Sequence, residues 1–148
     1  MLNEILIQLY ERDLNKLKQE IEEYKRETDL WKTAEGIANP GGNLCLHVTG
    51  GLLYLIGAVL GGTGFVRDRD ADFAVKDVPR EQLLARIDST IQAVTETIAK
   101  LTASDWEKTY PLNILDYPTS TEFFVTHLTT HLSYHLGQIN YHRRLLAR

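Results

Sequence analysis

One cysteine, Cys45, in a chain of 148 residues rules out an intramolecular disulfide and any cysteine-based zinc cluster. Long apolar runs are missing too. The most hydrophobic stretch, LLYLIGAVL, is flanked by glycines and is too short to span a bilayer. The start, MLNEILIQLYERD, is acidic too early for a secretory leader and offers no small-residue cleavage site, so a cytoplasmic location is the expectation. A surplus of positive charge is also absent. Sixteen basic and 20 acidic side chains leave a net charge of −4, which argues against a dedicated nucleic-acid binder. Acidic residues run out altogether after Glu122, while Arg143, Arg144 and Arg148 remain; late arginines suit the negative end of a terminal helix.

What is present is ordinary for one soluble domain covering residues 1–148, with 43% hydrophobic and 24% charged residues. Leu6, Tyr10, Leu14, Leu17, Ile21 and Tyr24 recur at steps of four and three, which is helical periodicity. ANPGGN breaks the chain, and Asn43 is the expected N-cap of a second helix that is apolar nearly all round. Gly61 to Val78 reads as a long connection in which Arg67, Asp68, Arg69, Asp70 and Asp72 form a solvated loop with local ion pairs. Pro79 suits the first turn of a third helix, whose seam is Leu83, Ile87, Ile91, Val94, Ile98 and Leu101. SDWEKTYPLNILDYPTS reads as loop with some extended structure, and Thr119 with Glu122 has capping-box spacing for a fourth helix. The expected fold is all-α, a four-helix bundle with helices near residues 3–27, 43–61, 79–102 and 121–147.

His127, His131 and His135 follow one another at steps of four, so on a helix they form one stripe. Two helical metal motifs are excluded. Leucine follows His127 and His131 where a zinc protease needs glutamate, and no glutamate stands three residues before any histidine. A mononuclear site is still open to His131 and His135 with a third ligand from elsewhere, and His47 is the one histidine outside the last helix. Three imidazoles would leave a coordination position for water or substrate. The competing arrangement is satisfied core or surface histidines.

HLSYHLGQINYHRRLL resembles the C-terminal motif of the DinB/YfiT-like superfamily, an H-x3-H followed by one residue and then Gly-Gln. NLCLHVTGGLLYLIGAVLGGTGFVRDRDADF is similar to the second-helix segment of a DinB-type subgroup, in the matching order and separation. The resemblance implies a four-helix bundle, often a homodimer, holding one divalent ion on His47, His131 and His135. Gly137 and Gln138 fix that register, so His127 is not the counterpart. Zn, Ni, Co or Fe(II) would each suit three neutral imidazoles. The nearly all-apolar second helix adds an argument for a homodimer, as surplus surface to be covered.

The other candidates are weaker. Arg67 or Arg69 would hold an anionic substrate if the charged connection lines the site. Tyr134 and Gln138 would orient a ligand or substrate, or simply pack. His142 lies about 10 Å further along the helix than His135 and cannot share an ion with it. Cys45 faces away from His47 and is expected to be buried and inert. Two function classes follow. One is a metal-dependent enzyme, by family analogy a transferase using a small thiol and a small-molecule substrate, or else a hydrolase. The other is a non-catalytic metal-binding bundle. No catalytic residue beyond the metal ligands stands out.

Overall fold

The seams read from the sequence become four long helices in a computed structural model that describes residues 1–147. They are α1 (Leu2–Glu23), α2 (Gly41–Leu52, running on as a π-helical stretch over Leu53–Ala58), α4 (Arg80–Lys100) and α6 (Thr121–Leu146). Two short helices, α3 (Arg69–Ala74) and α5 (Ala103–Glu107), interrupt the connections, and the described residues contain no strand. The four-helix expectation therefore needs those two additions. Arg148 lies outside the described residues.

Period decides what is buried. Leu6, Tyr10, Leu14, Leu17 and Ile21 of α1 are all inaccessible, as are Leu83, Ile87, Val94 and Ile98 of α4. Each such side chain contributes about 1.5–3 kcal/mol by leaving water. α1 packs on α4 and α6, while α2 packs on α3, α4 and α6. Four hydrogen bonds from three side chains to backbone carbonyls fasten the bundle. The Tyr10 hydroxyl donates to the Val125 carbonyl at 2.6 Å, and Tyr110 donates to Leu55 at 2.6 Å. The Asn3 amide caps the end of α4, donating to the Ile98 and Leu101 carbonyls at 2.8 Å each.

Several boundaries differ from expectation. Asn43 is not the cap of α2. The helix begins two residues earlier, after Pro40, because Gly41 and Gly42 lie against Tyr24 and Trp31 where any Cβ would collide with a ring. Asn43 instead is wholly buried; its amide donates to the Asp72 and Val75 carbonyls at 2.9 and 2.7 Å and accepts from Lys76. Ser120, not Thr119, caps α6, its hydroxyl accepting from the Phe123 amide at 3.0 Å. Glu122 therefore falls one position short of a capping box. The segment 103–120 holds α5, closed by a capping box between Thr102 and Asp105, and one isolated bridge between Thr109 and Ser120.

The charged connection is a solvated loop only in part: Asp68, Arg69 and Asp70 are exposed, but residues Arg69–Ala74 form α3. Asp68 caps α3 by accepting from the Ala71 amide at 3.0 Å, and Asp72 is buried against Arg86 of α4 at 3.2 Å rather than paired locally. Late arginines also do more than face a helix end. Arg143 bridges α6 to α1 through Glu20 at 2.8 Å and Glu23 at 3.0 Å. Every residue of α2 from Gly41 to Leu52 is buried within the chain, so that helix leaves no surplus apolar surface for a partner. Among the described residues no helix is long and apolar enough to cross a membrane.

Candidate metal centre

His47 is an imidazole in the middle of a helix that is otherwise almost without polarity, and it is buried. α6 runs beside α2 and presents His131 and His135, one turn apart, to the same point. His131 Nε2 lies 3.4 Å from His47 Nε2 and 3.0 Å from His135 Nε2. One ring nitrogen from each of the three falls within 4.8 Å of the others, and no fourth His, Cys, Asp or Glu joins the group among the described residues. Nitrogens sharing a tetrahedral ion at about 2.05 Å stand about 3.3 Å apart. The group can hold a metal ion.

The contacts fix where the ring protons sit. The His135 Nδ1 lies 2.7 Å from the Gln138 side-chain oxygen, which can only accept, so Nδ1 carries the proton and Nε2 is bare. Arg67 Nη2 sits 3.3 Å from His47 Nδ1 and 3.4 Å from the His47 carbonyl. A guanidinium can only donate, so His47 Nδ1 accepts from Arg67 and His47 Nε2 carries the ring proton, facing His131 Nε2. Binding an ion through His47 Nε2 would take that proton to Nδ1 and leave Arg67 the His47 carbonyl as its acceptor. Burial, then the neighbouring His135 and His131, pushes His47 down to about 3. Burial, then His135 and His127, pushes His131 down to about 4. Both rings are neutral near pH 7, the form that binds metal.

Two recesses open on either side of the cluster. The larger, about 670 Å³, is bounded by His135, Phe73, Arg69, Tyr134, Gln138 and Tyr141. The smaller, about 220 Å³, lies towards the start of α6 and the end of α2. Of the weaker candidates, Gln138 orients His135, while Tyr134 is largely exposed and stands edge-on to the His135 ring at 5.2 Å. Arg67 touches His47, and Arg69 stacks over Phe73 at 5.3 Å beside it. His127 stays outside the cluster, half-buried near Phe123. His142 is a satisfied core histidine: Nδ1 is 2.6 Å from the Tyr24 hydroxyl and Nε2 2.8 Å from the Lys32 carbonyl. Cys45 is fully buried, which pushes its thiol up to about 12, and it lines neither recess.

Sequence reasoning missed the support for this arrangement. Phe73 packs on the His47 ring at 4.7 Å, and the Asp72–Arg86 pair anchors the segment that carries it. A Cβ on Gly50 would come within 2.5 Å of Asp72 and 2.8 Å of Arg86, so the glycine in VTGGL is what seats that pair against α2. The only signal was the glycine pair itself, which is mute without its neighbours.

No curated protein matches the chain. A family model described as the DinB superfamily matches residues 9–139, which takes in all of the three-histidine group, the smaller recess, and the larger one apart from Tyr141, His142 and Leu145. A match over most of the length, with a helical bundle and histidines from its second and last long helices, settles the family: the chain belongs to the DinB superfamily.

Proposed function

We propose that this protein is a metal-dependent enzyme that holds one divalent ion on His47, His131 and His135 and acts on a small molecule from the larger recess. The observation that carries this is an opening: three convergent Nε2 atoms border a recess of about 670 Å³, with no fourth protein donor among the described residues. A structural site would be closed by a fourth ligand. An ion held there would supply a lowered pKa for a bound thiol or water. Gln138 fixes the ring of His135, and the Phe73 and Arg69 side chains shield His47. No Asp or Glu lines either recess among the described residues, so a hydrolase has no protein carboxylate as base. Transfer to a small thiol is therefore preferred over hydrolysis, with the thiol itself drawn from the family resemblance. Zn, Ni, Co and Fe(II) all suit an all-imidazole set.

Cobalt substitution tests the reading. A small thiol added to the cobalt protein should produce a sulfur-to-metal charge-transfer band, retained in Cys45→Ala because that thiol is buried away from the cluster. A visible spectrum indifferent to thiols, azide and phosphate would identify a closed, structural centre and end the enzyme proposal.

A homodimer is the proposed assembly, joined through α6. Phe123, Tyr134, Tyr141 and Leu145 leave half or more of their surface exposed along that helix, the apolar area that α2 does not provide. Light scattering should report twice the chain mass, 16.9 kDa, at micromolar concentration; a monomer throughout would refute it.

A further inference from the structure

Arg67 and Arg69 are two guanidiniums beside the histidine group in a chain of net charge −4, and neither forms a salt bridge among the described residues. Asp72 attracts Arg67 only from a distance, being itself paired with Arg86. Arg67 is half-buried, and its Nε is buried with no hydrogen-bond partner. A partly desolvated cation without a paired anion is costly; Nε lies too deep for a ligand and Nη2 faces His47, so Nη1 is the donor left for the recess. Both arginines line the smaller recess, whose remaining wall is largely apolar: Leu52, Leu55, Leu115, Phe124 and Leu128, with Ile114 at the exposed rim. An apolar cavity of about 150 Å³ accepts benzene. At about 220 Å³, this one has room for a somewhat larger body.

We propose that the smaller recess binds a small organic monocarboxylate with a compact apolar body of about six to eight carbons, its carboxylate held by Arg67 and Arg69 and its body against Leu55, Leu115 and Phe124. Planar guanidiniums match carboxylate oxygens in two-pronged hydrogen bonds. The apolar wall selects against phosphate and other fully hydrated anions. His47 and His131 form the partition between this recess and the larger one, so such a ligand would lie against the centre from the side opposite Tyr134 and Gln138. The proposal adds a second organic ligand across the centre from the larger recess; its catalytic meaning rests on the enzyme reading above, but carboxylate capture needs only the two arginines.

Isothermal titration calorimetry with hexanoate and phenylacetate, on the metal-loaded and the chelator-treated protein, separates the two. Both acids should bind either form. Hexanamide, acetate and inorganic phosphate should each bind at least about tenfold more weakly, the cost of an absent charge or an absent body. Arg69→Gln, at an exposed position that does not threaten the fold, should weaken phenylacetate by about tenfold to a hundredfold. Ile114→Glu, also at an exposed position, should weaken it by placing a rival anion at the rim. Affinity that is equal for acid and amide, or unmoved by Arg69→Gln and Ile114→Glu, would overturn the proposal. So would binding that vanishes on chelation, since the carboxylate would then be held by the ion alone. A protein that takes up no metal yet binds the acids through Arg69 would refute the metal centre and leave this inference standing.

Discussion

His131→Ala should emerge from purification almost free of metal, still helical and still folded. His131 is the middle member of the group, with its Nε2 within 3.4 Å of His47 and 3.0 Å of His135. Zinc binding energies of about 10–16 kcal/mol shared over four ligands put each at about 3 kcal/mol, roughly a hundredfold in affinity. His47→Ala and His135→Ala should behave alike. His142→Ala is the contrast: it keeps its ion but loses the bonds to Tyr24 and Lys32, at about 1–3 kcal/mol of stability. Elemental analysis beside circular dichroism reads both. Full stoichiometric metal in all four variants would sink the assignment.

Acid should reproduce part of the effect in the native protein. Burial, then mutual proximity, holds His47 near 3 and His131 near 4, well below the ordinary imidazole value of about 6.5. Between those values the unfolded chain binds protons that the folded cluster refuses, so stability is greatest above about 6.5 and falls as pH drops. Metal should be lost over the same descent, because each proton competes with coordination.

Asp72→Ala should cost about 2–3 kcal/mol, somewhat below the 3–5 kcal/mol of a fully buried pair because the Arg86 side chain keeps 26% of its exposure. In a chain of this length that lowers the thermal midpoint by about 5–10 °C. Burial raises the Asp72 carboxyl, with Arg86 pulling it back, so the pair is held at some expense and survives through its geometry. Arg86 also donates to the Thr49 hydroxyl at 2.8 Å and to the Leu46 carbonyl at 3.0 Å, which ties α4 to the turn of α2 that carries His47. Without its carboxylate that guanidinium is left uncompensated. The double replacement Asp72→Leu with Arg86→Met should recover most of the loss, as removing both charges removes the desolvation burden. Differential scanning calorimetry on the three variants decides; a double variant less stable than Asp72→Ala alone would reject the account.

The long helices were legible because their apolar residues keep step with the helix: Leu6 to Ile21 on α1 and Leu83 to Ile98 on α4 lie where the period puts them. Boundaries were not legible where tertiary contact overrules local preference. Gly41 and Gly42 look like a break, yet they are helical because two aromatic rings need the space. Asn43 looks like a cap, yet it is spent holding the C-terminal carbonyls of α3. α3 itself was hidden by its charges, since Asp72 reads as solvated until Arg86, 14 residues on, arrives beside it. At the site, spacing alone brought His131 and His135 together and left the third ligand open; family register singled out His47. That Arg67 would reach His47 depends on the course of the chain over α2, which no local pattern encodes.

The π-helical stretch Leu53–Ala58 has a consequence for insertions and deletions. Its amides reach back five residues, Val59 to Tyr54 and Gly61 to Ile56, so the segment holds one residue more than an α-helix of the same rise. The bulge absorbs that extra residue locally, so the faces on either side of it stay in register. Excising one residue within Leu53–Ala58 should restore a regular α-helix of the same rise, with Gly61 still against Thr97 and His47, upstream of the cut, unmoved. The same deletion in the regular turns of α2 has no bulge to absorb it and would swing everything beyond by about 100°. A relative one residue shorter at the bulge would thus keep both the three histidines and the arginine that reaches His47.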